Sequence, residues 1–213
     1  MQPTRLLIAT HNPGKVREYR ALLADLPLEV TYLDGEGIAF EVDETGATFE
    51  ENAVLKARAY AAATGLLTWA DDSGLEVDAL NGEPGVYSAR YGAPETHSDE
   101  QRYRYLLARL AGVPEADRTA RFRCVVALAT PSGEVRTADG TCAGRIGEGP
   151  RGEHGFGYDP VFLVADFDFA YTMAELEPAI KNEISHRGRA ARQARTLLQE
   201  ALQVEEAQLH RRS

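Results

Sequence analysis

Cysteine is scarce: the 213-residue chain has two, Cys124 and Cys142, far apart and outside any C-x-x-C pattern. That excludes a disulfide framework and fits a reduced, cytoplasmic setting. Long apolar runs are missing, since no window approaches the roughly 18 consecutive apolar residues of a membrane span. The N-terminus also lacks the charged and apolar regions of a secretion signal. A soluble chain with no membrane partner is expected. Positive charge is in deficit as well, with 23 Lys and Arg against 33 Asp and Glu, a net −10. This disfavours a nucleic-acid polymer as partner, because backbone binding draws on a basic surface. An anionic ligand needs a local cluster of bases.

Three familiar motifs are absent. Gly14-Lys15 has Ala9 where a Walker loop needs its first glycine and Val16 where it needs Ser or Thr, so P-loop ATPase chemistry is unsupported. Ser73 has no Gly-x-Ser-x-Gly and no nearby histidine, which argues against a hydrolase nucleophile. Gly147 to Gly152 formally matches G-x-G-x-x-G, yet another glycine-rich loop follows instead of a helix, so it is not a dinucleotide fingerprint.

What is present reads as one globular domain over residues 1–213, with 44% hydrophobic and 26% charged residues. Arg5 to Thr10 predicts a strand, His11-Asn12-Pro13-Gly14 a loop, and Val16, Tyr19, Leu22, Leu23 and Leu26 a helix. A strand over Leu28–Leu33 follows. Thr48-Phe49-Glu50-Glu51 has capping-box spacing and opens a long alanine-rich helix ending at Gly65. Leu66 to Ala70 reads as a buried strand delivering Asp71-Asp72-Ser73-Gly74 as a loop, and acids at a strand end are where α/β folds place chemistry. Ser98 to Gln101 caps a third helix. Arg121–Thr130 and Glu134–Arg145 form a hairpin around Pro131-Ser132-Gly133, which makes the sheet mixed. Val161–Val164 is a short strand, and Ser185–Val204 a closing helix followed by a frayed tail over 205–213.

The chemistry-bearing segments each have two readings. Thr10 to Lys15 leaves a strand and opens a helix, so its N–H groups and the Lys15 ammonium suit a phosphate; alternatively it is a plain turn with Lys15 solvated. Asp71-Asp72, with Asp43-Glu44 and Glu50-Glu51, supplies hard oxygen ligands that suit Mg²⁺; alternatively these acids are a solvated face. Lys181, His186 and Arg187 gather before the last helix, where cations oppose the dipole; they are either a solvated basic start or donors toward a ligand. Phe156-Gly157-Tyr158-Asp159 offers aromatic faces and an acid for a base, or two aromatics for the core.

These segments, in this order, resemble the Ham1-like family of inosine triphosphate pyrophosphatases. The resemblance rests on Thr10 to Lys15, Glu44-Thr45-Gly46 with Thr48 to Ala53, Asp71 to Leu75, Pro84 to Arg90, Phe156 to Pro160, and Ser185 to Gly188. It implies an α/β fold with a long central mixed sheet flanked by helices, and two lobes with a substrate cleft. It also implies a homodimer and Mg²⁺-dependent hydrolysis of ITP, dITP and XTP to the monophosphate and pyrophosphate. By the same resemblance Thr10, His11, Asn12, Pro13, Gly14 and Lys15 hold the triphosphate, Asp72 is the catalytic acid, and Asp43, Glu44 and Asp72 handle the metal. Ser73, Phe156, Gly157, Tyr158, Asp159, Lys181, His186 and Arg187 take the nucleotide. Two alternatives remain open: a pyrophosphatase for another modified nucleotide, and a silent nucleotide sensor.

Overall fold

The computed structural model describes residues 4–210, with side chains described through residue 202. The chain divides into two compact units built from separate stretches. One comprises Met1–Asp72, Val125–Asp139 and Ala190–Ser213, and the other Ser73–Cys124 and Gly140–Arg189. Six strands form one sheet in the order β2-β1-β3-β4-β5-β6. They are β1 (Thr4–Ile8), β2 (Leu28–Tyr32), β3 (Leu67–Val77), β4 (Thr119–Ala129), β5 (Val135–Ile146) and β6 (Phe162–Val164). β1 runs parallel to β2 and β3, while β5 and β6 are antiparallel, so the sheet is mixed as expected. The helices are α1 (Pro13–Leu22), α2 (Phe49–Thr64), α3 (Asp99–Arg109), α4 (Pro178–Ile184) and α5 (His186–His210).

Helix starts follow the sequence signals closely. Asn12 caps α1, its Oδ1 accepting from the amides of Gly14 at 2.8 Å and Lys15 at 3.2 Å, with Pro13 at the first helical position. Both expected capping boxes form, Thr48 with Glu51 on α2 and Ser98 with Gln101 on α3. The first unit packs Leu6, Leu7, Ile8, Tyr19, Ala53, Ala57 and Trp69 at 5% exposure or less, with Tyr19 edge-on to Trp69 at 5.4 Å between centroids. In the second unit Leu75, Val77, Leu106, Phe122, Ile146, Tyr158 and Phe162 belong to one apolar cluster. Cys124 and Cys142 are both buried, and burial pushes the Cys142 thiol up to about 12, keeping it protonated and unreactive. No helix among the described residues is long and apolar enough to cross a membrane.

The structure departs from the sequence expectations in three places. Asp71-Asp72-Ser73-Gly74 is not a loop, because β3 continues through it to Val77. Leu75 and Val77, both fully buried, extend the apolar alternation beyond the acids. The seven-residue helix α4, carrying Lys181, was not anticipated. The closing helix α5 runs past Val204 to His210, while residues 211–213 of the expected tail lie outside the described residues.

The Pro84–Arg90 segment serves as a bracket. Ser88 Oγ accepts from the Leu75 amide at 2.9 Å and donates to the Gly85 carbonyl at 2.6 Å. Its carbonyl accepts from the Tyr158 hydroxyl at 2.8 Å. This fixes the β3 end of the second unit to the loop that precedes β6.

Candidate functional site

The first unit contains a reversal of strand order. The chain passes from β1 through α1 to β2 on one side, then through α2 to β3 on the other side of β1. Right-handed crossovers of opposite sense place α1 and α2 on opposite faces of the sheet. Open α/β sheets bind ligands beyond the carboxyl ends of strands at such a reversal. β1 pairs with β3 as far as Ile8 opposite Trp69, and the Ala9 amide donates to the Trp69 carbonyl at 2.8 Å. β3 then runs on, so Asp71 and Asp72 follow directly where β1 gives way to the 9–12 loop. The strand end that matters is that of β1.

Successive strand residues point to opposite faces, and the partners of the two acids agree. Asp71 Oδ2 meets Lys15 Nζ of α1 at 2.9 Å, on the face where Tyr19 meets Trp69. Asp72 turns to α2: its Oδ2 accepts from Asn52 Nδ2 at 3.0 Å, and Lys56 Nζ stands 3.7 Å from its Oδ1. Lys56 also pairs with Glu44. Asn52 Oδ1 accepts from the Gly46 amide at 2.7 Å, which fixes the side-chain amide so that its NH₂ faces Asp72. A Cβ at Gly46 would lie 2.6 Å from Glu51 Cβ and 2.7 Å from Asn52 Oδ1, so only glycine fits this approach.

Burial lifts the Asp72 carboxyl above the usual carboxylate range. Lys56 and Lys15 pull it back, Glu44 adds to the rise, and the Asn52 hydrogen bond lowers it. Burial also works against the Lys56 ammonium, but Asp72, Asp71 and Glu44 outweigh it and raise its pKa above that of an ordinary lysine. The result is a partly buried acid that keeps some proton affinity, beside a lysine that stays charged. Glu44 and Asp72 are hard oxygen donors converging on one cation, and two carboxylates are what Mg²⁺ takes when phosphates and water complete its shell. The residues present therefore fit such an ion. Asp43 is exposed, its carbonyl accepting from the Thr45 amide at 3.1 Å. Among the described residues no three His, Cys, Asp or Glu side chains gather as a metal group.

The 10–15 loop is prearranged. Thr10 Oγ1 accepts from the Asn12 amide at 3.1 Å, Asn12 caps α1, and Gly14 is buried in the first turn. His11 Nδ1 lies 2.6 Å from Asp34 Oδ1, at the turn after β2.

In the second unit, Lys181, His186 and Arg187 are 4%, 2% and 5% exposed, which overturns the solvated reading of this basic group. Lys181 Nζ lies 2.7 Å from Asp159 Oδ2, and the same oxygen accepts from the Phe156 amide at 2.9 Å. Gly155, at φ +82°, would carry a Cβ 2.1 Å from that oxygen, so glycine is required there. Lys181 Nζ and Arg187 Cζ lie 4.9 and 4.8 Å from the Phe156 ring centroid. Arg187 Nη2 donates to Ser73 Oγ at 2.9 Å. His186 stacks on Phe122 at 4.7 Å and 13° between planes. The Gly157 amide donates to Asp99 Oδ2 at 2.8 Å, tying the loop to the start of α3. The Tyr158 ring belongs to the core and its hydroxyl to Ser88.

The structure thus gathers Lys15, Glu44 and Asp72 in the first unit. In the second it gathers Ser73, Phe156, Asp159, Lys181 and Arg187, with His186 buried next to Arg187 in the chain. The Tyr158 side chain stands apart from these groups, with its ring in the core and its hydroxyl on Ser88. Sequence reasoning missed Lys56, Asn52, Asp71 as the partner of Lys15, Asp99 and Phe122. Asn52 and Lys56 did leave a signal, being the i, i+4 polar pair on an alanine-rich helix.

Comparison with known proteins bears on the family and the fold. A sequence model of the Ham1 family matches residues 6–197. A dITP/XTP pyrophosphatase of Bacillus licheniformis is 51% identical over 196 residues, 92% of this chain and 98% of its own length. Another, from an Exiguobacterium species, is 55% identical over 188 residues, 88% of this chain and 93% of its own. The solved structure of a HAM1 protein from Coxiella burnetii superposes with a TM-score of 0.82 at 42% identity, covering 92% of this chain and 99% of that one.

Proposed function

This chain belongs to the Ham1 family, and from that premise we propose that it hydrolyses the deaminated purine triphosphates ITP, dITP and XTP to the monophosphate and pyrophosphate, cleansing the nucleotide pool. The observation that carries the reading is the reversal of strand order at β1, where a phosphate-type loop, Lys15 and the Asp71-Asp72 pair meet. Thr10, Asn12 and the amides at the start of α1 receive phosphoryl oxygens, and Lys15 neutralises the charge that grows on them in the transition state.

Asp72 is the proton acceptor. Its raised pKa suits it to take a proton from the attacking water, since a general base works best with some proton affinity. Asn52 and Lys56 hold its carboxylate in place. Glu44 and Asp72 would hold Mg²⁺, which supplies charge neutralisation on the phosphates.

The aromatic and basic cluster takes the purine. Phe156 offers the stacking surface, and His186 and Arg187 offer donors to the carbonyl at purine C6, where adenine presents an amino group. A buried donor left without its acceptor costs about 1–3 kcal/mol, roughly a ten- to hundred-fold preference against ATP. Asp159 holds Lys181 and the Phe156 amide rather than reading the base directly. A homodimer completes the reading, supported by the resemblance, and a cytoplasmic location, supported by the scarcity of cysteine.

The test is a panel of ITP, XTP, dGTP and ATP with Mg²⁺ and pyrophosphate detection. ITP and XTP should be turned over at least about ten-fold more efficiently than ATP. Equal efficiencies would remove the C6 carbonyl from the account.

A further inference from the structure

The Lys15–Asp71 pair has a part that the reading above leaves unassigned. Asp71 Oδ2 is 2.9 Å from Lys15 Nζ, with the Asp71 side chain 2% exposed and that of Lys15 16% exposed. The carboxylate is thus buried beneath a lysine that closes the phosphate loop, in the first turn of α1. It belongs to a different face of β3 from Asp72, which is engaged by α2. Asp71 is therefore no duplicate of the catalytic acid, and its charge bears on Lys15 first.

We propose that Asp71 is the resident counter-charge of Lys15: it tethers the ammonium in place and holds down its grip on polyphosphate, so that the pyrophosphate product leaves. This rests on the functional reading above. An ammonium has three N–H donors, so Lys15 can contact a phosphoryl oxygen while one donor stays on Asp71. What Asp71 changes is the net charge the pair presents, which is near zero instead of +1. A bare, partly exposed cation would bind substrate and product alike. Such uniform binding lowers KM without raising kcat, and it slows departure of a highly charged product.

The expected sign is therefore opposite to that of an ordinary binding residue. Asp71→Asn keeps an oxygen acceptor for Lys15 and removes the negative charge. The probe is inorganic pyrophosphate, titrated calorimetrically into the full-length protein in EDTA at low salt. Asp71→Asn should bind it at least about ten-fold tighter than wild type, since one unit charge is worth that factor even from roughly 12 Å away at an effective dielectric of about 20. With ITP the same variant should show a lower KM, a lower kcat and stronger inhibition by pyrophosphate. Asp71→Glu, which restores the charge, should return the pyrophosphate affinity to within about two-fold of wild type. Should Asp71→Asn fail to fold, Asp71→Ser offers a neutral acceptor of smaller volume, and the same tightening is required of it. Unchanged or weaker pyrophosphate binding in the folded neutral variant overturns the proposal. A wild-type protein that releases no pyrophosphate from ITP overturns the functional reading itself, so the two failures are separable.

Discussion

At the residue scale the site is governed by how few of its charges stand alone. Lys56 is flanked by Glu44 and Asp72, Lys15 by Asp71, and Lys181 by Asp159. Removing one member of a buried pair exposes the other to the full penalty of an uncompensated charge. Lys56→Met is accordingly expected to destabilise the protein by about 3 kcal/mol in a urea titration near neutral pH. Asp72 behaves differently. Its folded-state pKa is raised above the usual 3.8 by burial, so the folded protein holds the Asp72 proton more tightly than the unfolded chain does. The stability this lends is fully present below the unfolded pKa and is lost as pH rises through the folded one. In EDTA, Asp72→Asn should therefore melt above wild type at about pH 7, with the gap closing as pH falls toward about 4. The same variant should lose turnover by at least about a hundred-fold while still binding nucleotide. A melting temperature equal to or below wild type at neutral pH would count against burial as the source of the shift.

At the element scale, α2 is the part that aims the chemistry. Its capping box fixes where the helix begins, and Asn52 and Lys56 follow one and two turns later, both reaching Asp72. Thr48→Ala should cost about 1 kcal/mol of stability by chemical denaturation. Glu51→Ala removes the acceptor for the amides of Ala47 and Thr48 and should cost a similar amount. A loss confined to one of the two would show that the box does not act as a unit. These elements were legible in the sequence because caps are local: Asn12-Pro13, Thr48 with Glu51, and Ser98 with Gln101 each announce a helix within four residues. α4 was not, since seven residues starting at Pro178 are too short to show a helical period. β3 was cut short because the acids at 71 and 72 look like punctuation, and what carries the strand through them is tertiary. Lys15, Lys56 and Asn52 satisfy those carboxylates from elements far away in sequence. The same cause hid Asp71, whose role depends on which face of the strand it occupies.

At the scale of the whole molecule, an acidic chain with a net charge of −10 handles a polyanion by concentrating a few bases where the strand order reverses. The acids nearby tune those bases instead of opposing them. Composition alone had indicated only what the protein avoids. The resemblance named a family, and the roles proposed for Lys15, Lys56, Asp72 and the buried trio Lys181, His186 and Arg187 would give that family's reaction a physical basis in this chain. Which phosphoanhydride is cut separates a pyrophosphatase from a phosphatase. The decisive measurement is chromatographic product analysis after incubation of the protein with ITP and Mg²⁺. IMP and pyrophosphate in equal amounts are predicted, whereas IDP with orthophosphate, or no turnover, would contradict the account.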